Sequence, residues 1–318
     1  MGTDPYAGRM PAFEVINEVK KAIIGKDGCI VKAVAAILAG GHILFNDIPG
    51  VGKTTLAMAL AKSMSLKQNR VQFTPDVLPS DLTGFSIYDK GTGQFVYQPG
   101  SVMCNLLLAD EVNRTSPKTQ SALLEVMEEK KVTVDGISRP VPSPFIVIAT
   151  QNPFGSAGTW MLPEAQIDRF MVCLQLGYPE LEDEINILKG EQNKEEVHAV
   201  ISGEELAAMQ QAVGQVFAAD EIYEYIGNLA NRTRNHPMVD LGVSPRGSIH
   251  ILQMAKALAF LRQRDYVVPE DIKDIFFSVC AHRVVLNAKA RVAQMEVGQV
   301  LGEVQKAVPA PMAMRGRK

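Results

Sequence analysis

The 318-residue sequence is short of several things at once, and each shortage removes a class of protein. Its four cysteines, Cys29, Cys104, Cys173 and Cys280, are isolated, with no C-x-x-C pair. Three of them lie in apolar runs, which excludes a disulfide scaffold and predicts small core residues in a reducing compartment. The five histidines, at 42, 198, 236, 250 and 282, lack metal-ligand spacing, so no zinc site is expected. No stretch of about 18 uninterrupted apolar residues exists, which argues against a membrane span. The N-terminus has no basic segment leading into an apolar core, and a cytoplasmic protein is expected. A net charge of −3 gives no reason to expect DNA, RNA or an anionic membrane as main partner. The only locally basic cluster is Arg315-Gly316-Arg317-Lys318.

What remains is the composition of a globular protein, 47% apolar and 21% charged, long enough for two domains. From residue 42 onward, short apolar runs alternate with helix-period segments. The runs are HILF (42–45), VQF (71–73), LLLA (106–109), IVIA (146–149) and MVCLQL (171–176). Continuous apolar runs suit strands covered on both faces, and the alternation predicts a three-layer α/β domain with a parallel sheet. After Tyr178-Pro179 the pattern turns nearly all helical to about residue 307, so a boundary is placed near 180. The expected layout is 1–180 for the α/β core, 181–307 for a helical domain and 308–318 for a tail. Two irregular insertions interrupt the core: residues 74–101, where Gly91-Thr92-Gly93 could turn a hairpin, and 131–141, with Asp135-Gly136 at a hairpin tip.

The stretch FNDIPGVGKTT (45–55) nearly spells the phosphate loop G-x-x-x-x-G-K-[ST], with Asp47 at the first glycine position. It follows the strand HILF and opens the helical run KTTLAMALAK, so backbone N–H groups at a helix start would face the anion. Pro49, Gly50, Val51, Gly52, Lys53, Thr54 and Thr55 form this cradle. Lys53 would neutralise β- and γ-phosphate oxygens, and the Thr54 hydroxyl would ligate Mg²⁺. Aspartate tolerates the turn geometry that the missing glycine would supply, with its side chain turned away from the phosphates.

A second segment, LLLADEVNR (106–114), runs a buried strand into Asp110-Glu111, where α/β sheets bind ligands. Asp110 can hold Mg²⁺ through water, and Glu111 can polarise the water attacking the γ-phosphate. Capping of the next helix would explain the acids but not their arrival after four apolar residues. A third, IVIATQNP (146–153), ends in Asn152, placed to hydrogen-bond the γ-phosphate or that water. LPEAQIDRF (162–170) carries Arg169, a candidate cation for transition-state oxygens, a role worth ~10³–10⁵ in rate.

The succession IIG (23–25), DIPGVGKTT, LLLADEVNR, ATQNP, LPEAQIDRF and GVSPRGS (242–248) resembles the AAA+ ATPases. The stretches ADEVNRTSPKTQSALLEVMEE (109–129) and ATQNPFGSAGTWMLPEAQIDRF (149–170) are similar to the MoxR family within them. The likeness covers roughly residues 15–290. It implies an AAA+ P-loop core with a five-stranded parallel sheet, a helical lid, and a ring, commonly a hexamer. Lys53 and Thr54 then match the Walker A pair, Asp110 and Glu111 Walker B, and Asn152 sensor 1. Arg169 matches the arginine finger that reaches a neighbouring subunit's ATP, and Arg246 matches sensor 2. Ile23, Ile24 and Gly25 match the segment beside the adenine. The two insertions match the helix-2 insert and pre-sensor hairpin.

The resemblance implies an ATPase that binds MgATP between core and lid and remodels or activates a client protein. Such clients often carry a von Willebrand factor A domain. Two other readings stay open on the residues alone: a nucleotide-gated binding scaffold with slow turnover, and a DNA-directed AAA+ machine, which the mild acidity disfavours.

Overall fold

Successive residues of a strand point to opposite faces of its sheet, and in the central strands of this chain both sets are apolar. The computed structural model describes residues 10–48, 50–151, 160, 162–189 and 196–311. Two helices come first, α1 (Met10–Ala22) and α2 (Asp27–Leu38), followed by β1 (Ile43–Asn46), α3 (Lys53–Ser63) and β2 (Gln68–Gln72). The first insertion holds α4 (Pro79–Thr83) and the antiparallel pair β3 (Gly84–Asp89) and β4 (Gln94–Pro99). Then come β5 (Leu106–Asp110), α5 (Pro117–Glu129), the hairpin β6 (Lys131–Val134) and β7 (Ile137–Pro140), β8 (Ile146–Gln151), α6 (Glu164–Ile167) and β9 (Val172–Leu174).

The five parallel strands lie in the order β2-β5-β8-β1-β9. Ile43, Phe45, Leu106, Leu108, Ile146 and Ile148 face a core shared with α1, α2 and α3. Their neighbours Leu44, Leu107, Ala109, Val147 and Ala149 face a second core with Leu123, Leu124 and Met127 of α5. That is the three-layer arrangement, with a core on each side of the sheet. In register, Asn46 pairs with Gln151 and Gln72 with Asp110, so the C-terminal ends of the strands form one continuous edge.

β2 departs from the run VQF: it begins at Gln68, and its residues alternate between exposed and partly covered. It is the edge strand beside β5, and an edge strand does not need two apolar faces. β9 is three residues long where the run MVCLQL spans six.

Beyond Pro179 lie α7 (Leu181–Leu188), α8 (Gly203–Gly214), α9 (Asp220–Arg234), β10 (Val239–Leu241), α10 (Pro245–Leu261), α11 (Pro269–Cys280), β11 (Val285–Leu286), α12 (Ala288–Val292) and α13 (Val297–Ala307). β10 and β11 add a small antiparallel ladder that the helical pattern did not announce. α10 packs on α2, and α11 packs on β9. The apolar cluster of the α1–α3 face therefore continues through Leu229, Ile251, Met254, Leu258, Ile272 and Phe276. Among the described residues, no helix is long and apolar enough to cross a membrane, and all four cysteines are free.

Candidate nucleotide site

The loop after β1 is shaped by its glycines. Gly50 and Gly52 have φ of 85° and 92°, a region that residues with a Cβ rarely enter. Gly52 is the N-cap of α3. The first-turn amides of a helix have no carbonyl one turn back to bond, so those of α3 are available to an anion. Ile23 packs over this turn, with its Cδ1 3.3 Å from where a Gly52 Cβ would lie.

Lys53 Nζ donates to the Asp47 carbonyl at 2.8 Å and the Ile48 carbonyl at 2.6 Å, folding the side chain across its own loop. Burial lowers the Lys53 pKa, while the charges of Asp47, Asp110 and Glu111 act in the opposite sense. All three carboxylates thus lie within electrostatic reach of the ammonium. Pro49, also placed in the cradle by the sequence, lies outside the described residues.

Asp110 ends β5 and is buried. Its Oδ2 accepts from Arg70 Nε at 2.8 Å, and its Oδ1 from Thr150 Oγ1 at 3.4 Å. Glu111 has a φ of 56°, a left-handed conformation held as the amide donates to Thr150 Oγ1 at 2.9 Å. Its Oε2 accepts from Gln72 Nε2 at 3.0 Å and Arg114 Nη1 at 2.9 Å. Asn152 lies outside the described residues; β8, which precedes it, ends at this same edge. The donor set suits a hard cation: a threonine hydroxyl at a helix start and a buried carboxylate, both oxygen ligands of the kind magnesium takes. Thr54 and Asp110 would hold it.

The two candidate arginines sit elsewhere. Arg169 follows α6 and precedes β9, so it stands at the N-terminal edge of the sheet. Its Nε donates to Glu128 Oε2 at 2.7 Å. Arg246 reaches the other oxygen of the same carboxylate, Oε1. The two cations depress the Glu128 pKa, the hydrogen bond from Arg169 contributing most. The groove around them is lined by Gly40, Gly41 and His42, the residues leading into β1. The strand separates this cluster from the phosphate loop by four residues, about 13 Å at the rise of a strand. Within one chain, Arg246 is therefore grouped with Arg169 and not beside Lys53.

Local chemistry explains how Arg246 arrives there. Ser244 caps α10 by accepting from the Gly247 amide at 3.0 Å, and Pro245 occupies the first helical turn. Gly247 has no room for a Cβ, which would meet Val243 and Arg283. The Ser244 hydroxyl donates to Asp168 at 2.9 and 3.0 Å. Arg283, almost fully buried, donates to Asp168 Oδ1 at 2.8 Å and to the Asp168, Phe170 and Met171 carbonyls. The backbone on both sides of Arg169 is thereby fixed to the helices that follow the core.

Near Ile24 and Gly25, a Gly25 Cβ would collide with the Asp183 carboxylate of α7, and Gly25 itself has a φ of 73°. Lys26 Nζ donates to the Tyr178 carbonyl at 2.6 Å. Asp47 is turned away from the loop interior. Its Oδ2 accepts from the Leu176 amide at 2.6 Å and the Gly177 amide at 2.8 Å.

Comparison with known proteins agrees with this layout. Residues 42–172 match the model of the ATPase family associated with various cellular activities (AAA), and residues 231–304 match an AAA lid domain. The uncharacterized protein YeaC of Bacillus subtilis is 46% identical, with 94% of each chain aligned. The chaperone MoxR1 of Mycobacterium tuberculosis is 36% identical over 98% of this chain and 85% of its own. The chain belongs to the MoxR family of AAA+ ATPases. A crystal structure from Cytophaga hutchinsonii, described as a candidate ATPase, superposes with a TM-score of 0.89 at 37% identity, covering 96% of this chain and 97% of that one.

Sequence reasoning passed over Arg70, Gln72, Arg114, Glu128 and Arg283. Arg283 left a trace, a charged residue in the apolar run SVCAHRVV. Glu128 left none, because its partners are 41 and 118 residues away.

Proposed function

We propose that this MoxR-family member is a magnesium-dependent ATPase working as a ring, commonly hexameric in related proteins, that remodels or activates a client protein. The observation carrying this reading is the division of the candidate groups between two edges of one sheet. Lys53, Thr54, Asp110 and Glu111 stand at the C-terminal edge; Arg169 and Arg246 stand at the other. A single chain cannot bring both sets to one triphosphate, whereas copies stacked head to tail in a closed ring can.

Each residue then has a task. Lys53 leaves its two carbonyls and takes the β- and γ-phosphate oxygens. Thr54 and Asp110 hold magnesium, which when bound neutralises charge on the phosphates. Glu111 accepts a proton from the attacking water after release by Gln72 and Arg114. Arg169 and Arg246 of one copy exchange Glu128 for the developing charge on the neighbour's γ-phosphate. Ile24 and Gly25 flank the adenine, and Asn152 supplies a polar contact to the γ-phosphate side. The chaperone name of the mycobacterial relative supports client work as the output, and a von Willebrand factor A domain protein is the partner to try first.

The experiment is Glu111→Gln. It should bind ATP as tightly as the parent while phosphate release falls by about a hundredfold or more. Unchanged turnover would reject the role of Glu111.

A further inference from the structure

Asp47 stands where the strict phosphate-loop pattern has glycine, and its bonds run in three directions. Its amide donates to Gln151 O at the end of β8, at 3.4 Å. Its carbonyl accepts Lys53 Nζ at 2.8 Å. Its carboxylate accepts the Ile48 amide at 2.9 Å through Oδ1 and both the Leu176 and Gly177 amides through Oδ2. Leu176 and Gly177 belong to the strap that leaves β9 and leads through Tyr178-Pro179 into α7. Gly177 has a φ of 63°, so two successive amides turn toward one oxygen there.

We infer that Asp47 is a positioning residue that transmits the occupancy of the phosphate loop to the strap joining the core to the lid. The inference rests on the ATPase reading above. When Lys53 turns from the carbonyls of Asp47 and Ile48 to a phosphate, the peptide between them loses its cation. The carboxylate on the same residue is the group that grips the strap, so movement of that peptide is passed to Leu176 and Gly177. Glycine at this position could form the turn but could not hold the strap. A second anchor, Lys26 on the Tyr178 carbonyl, makes no hydrogen bond to the phosphate loop among the described residues and should not carry this signal.

The test uses the full chain in a Glu111→Gln background, with MgATP as the probe. Hydrogen exchange is read at Leu176–Tyr178, alongside the ATP dissociation constant by calorimetry. Without Asp47→Asn, MgATP should change exchange in this segment by about tenfold, the scale of a hydrogen bond to a charged group. With Asp47→Asn, ATP should still bind while the change falls below about twofold. Asp47→Gly gives the same comparison if the asparagine variant does not fold. Lys26→Gln should keep the response. An equal response with and without the Asp47 substitution would overturn the inference, as would no response in the parent despite bound ATP. Loss of the response in Lys26→Gln as well would reduce Asp47 to one of several structural ties, and would also overturn it. Failure of the parent to bind ATP would instead bring down the ATPase reading, and the inference with it.

Discussion

Replacing Arg283 with methionine tests how firmly Arg169 is held. The Arg283 side chain is 1% exposed and that of its partner Asp168 only 17%. Besides that ion pair it donates to the carbonyls of Asp168, Phe170, Met171 and Val279, and it lies 2.6 Å from His250 Nδ1. Methionine fills much of the space but leaves a largely covered carboxylate and several acceptors without their donor. Removing one partner of a buried pair costs about 3–5 kcal/mol. Asp168 keeps its bonds from Ser244, which places the expected loss at about 4 kcal/mol. At about 2.1 cal/mol/K per residue, that loss lowers the melting midpoint by about 6 °C for a chain of 318 residues. Differential scanning calorimetry reads it directly. Adding Asp168→Ala should cost less than the two single losses summed, by about 2 kcal/mol, because the stranded carboxylate is gone. Steady-state ATPase activity should fall in Arg283→Met, since the backbone on both sides of Arg169 loses its anchor. A midpoint shift under about 1 °C, or strict additivity in the double variant, would refute the argument.

Acid should weaken the fold through His42. Burial holds its pKa down at about 4, against the Nε2 hydrogen bond to the Met127 carbonyl at 3.2 Å, which acts in the opposite sense; Nδ1 accepts the Val147 amide at 2.9 Å. The unfolded chain therefore binds this proton first, and stability is lost as pH falls from about 6.5 to about 4, by up to about 3 kcal/mol. In urea unfolding, His42→Gln should flatten that part of the pH profile; an unchanged slope would contradict the assignment. Arg70→Ala should lower the magnesium concentration giving half-maximal ATPase activity by about threefold, because it removes a cation competing for Asp110. No change, or a rise, would mean that Arg70 leaves Asp110 without cost.

The central strands were legible because β1, β5 and β8 are covered on both faces and spell continuous apolar runs. β2 was legible only in part: as an edge strand it carries Gln68, Asn69 and Arg70, which read as loop. The phosphate loop and Asp110-Glu111 stood out because their groups are adjacent in sequence and the strand before them fixes where they emerge. The pairing of Arg169 and Arg246 through Glu128 could not be read, nor could the grip of Asp47 on amides 129 and 130 residues away. No local pattern encodes such contacts: the packing of α10 on α2 brings Arg246 to the core, and the pairing of β1 with β9 brings Asp47 to the strap beyond β9.

The most direct test of catalysis across two copies mixes two inactive proteins, Arg169→Ala and Glu111→Gln, and measures phosphate release. In mixed rings, an intact Glu111 on one subunit can meet an intact Arg169 from the next, and activity should return. Mixed rings that form and stay inactive would contradict the account.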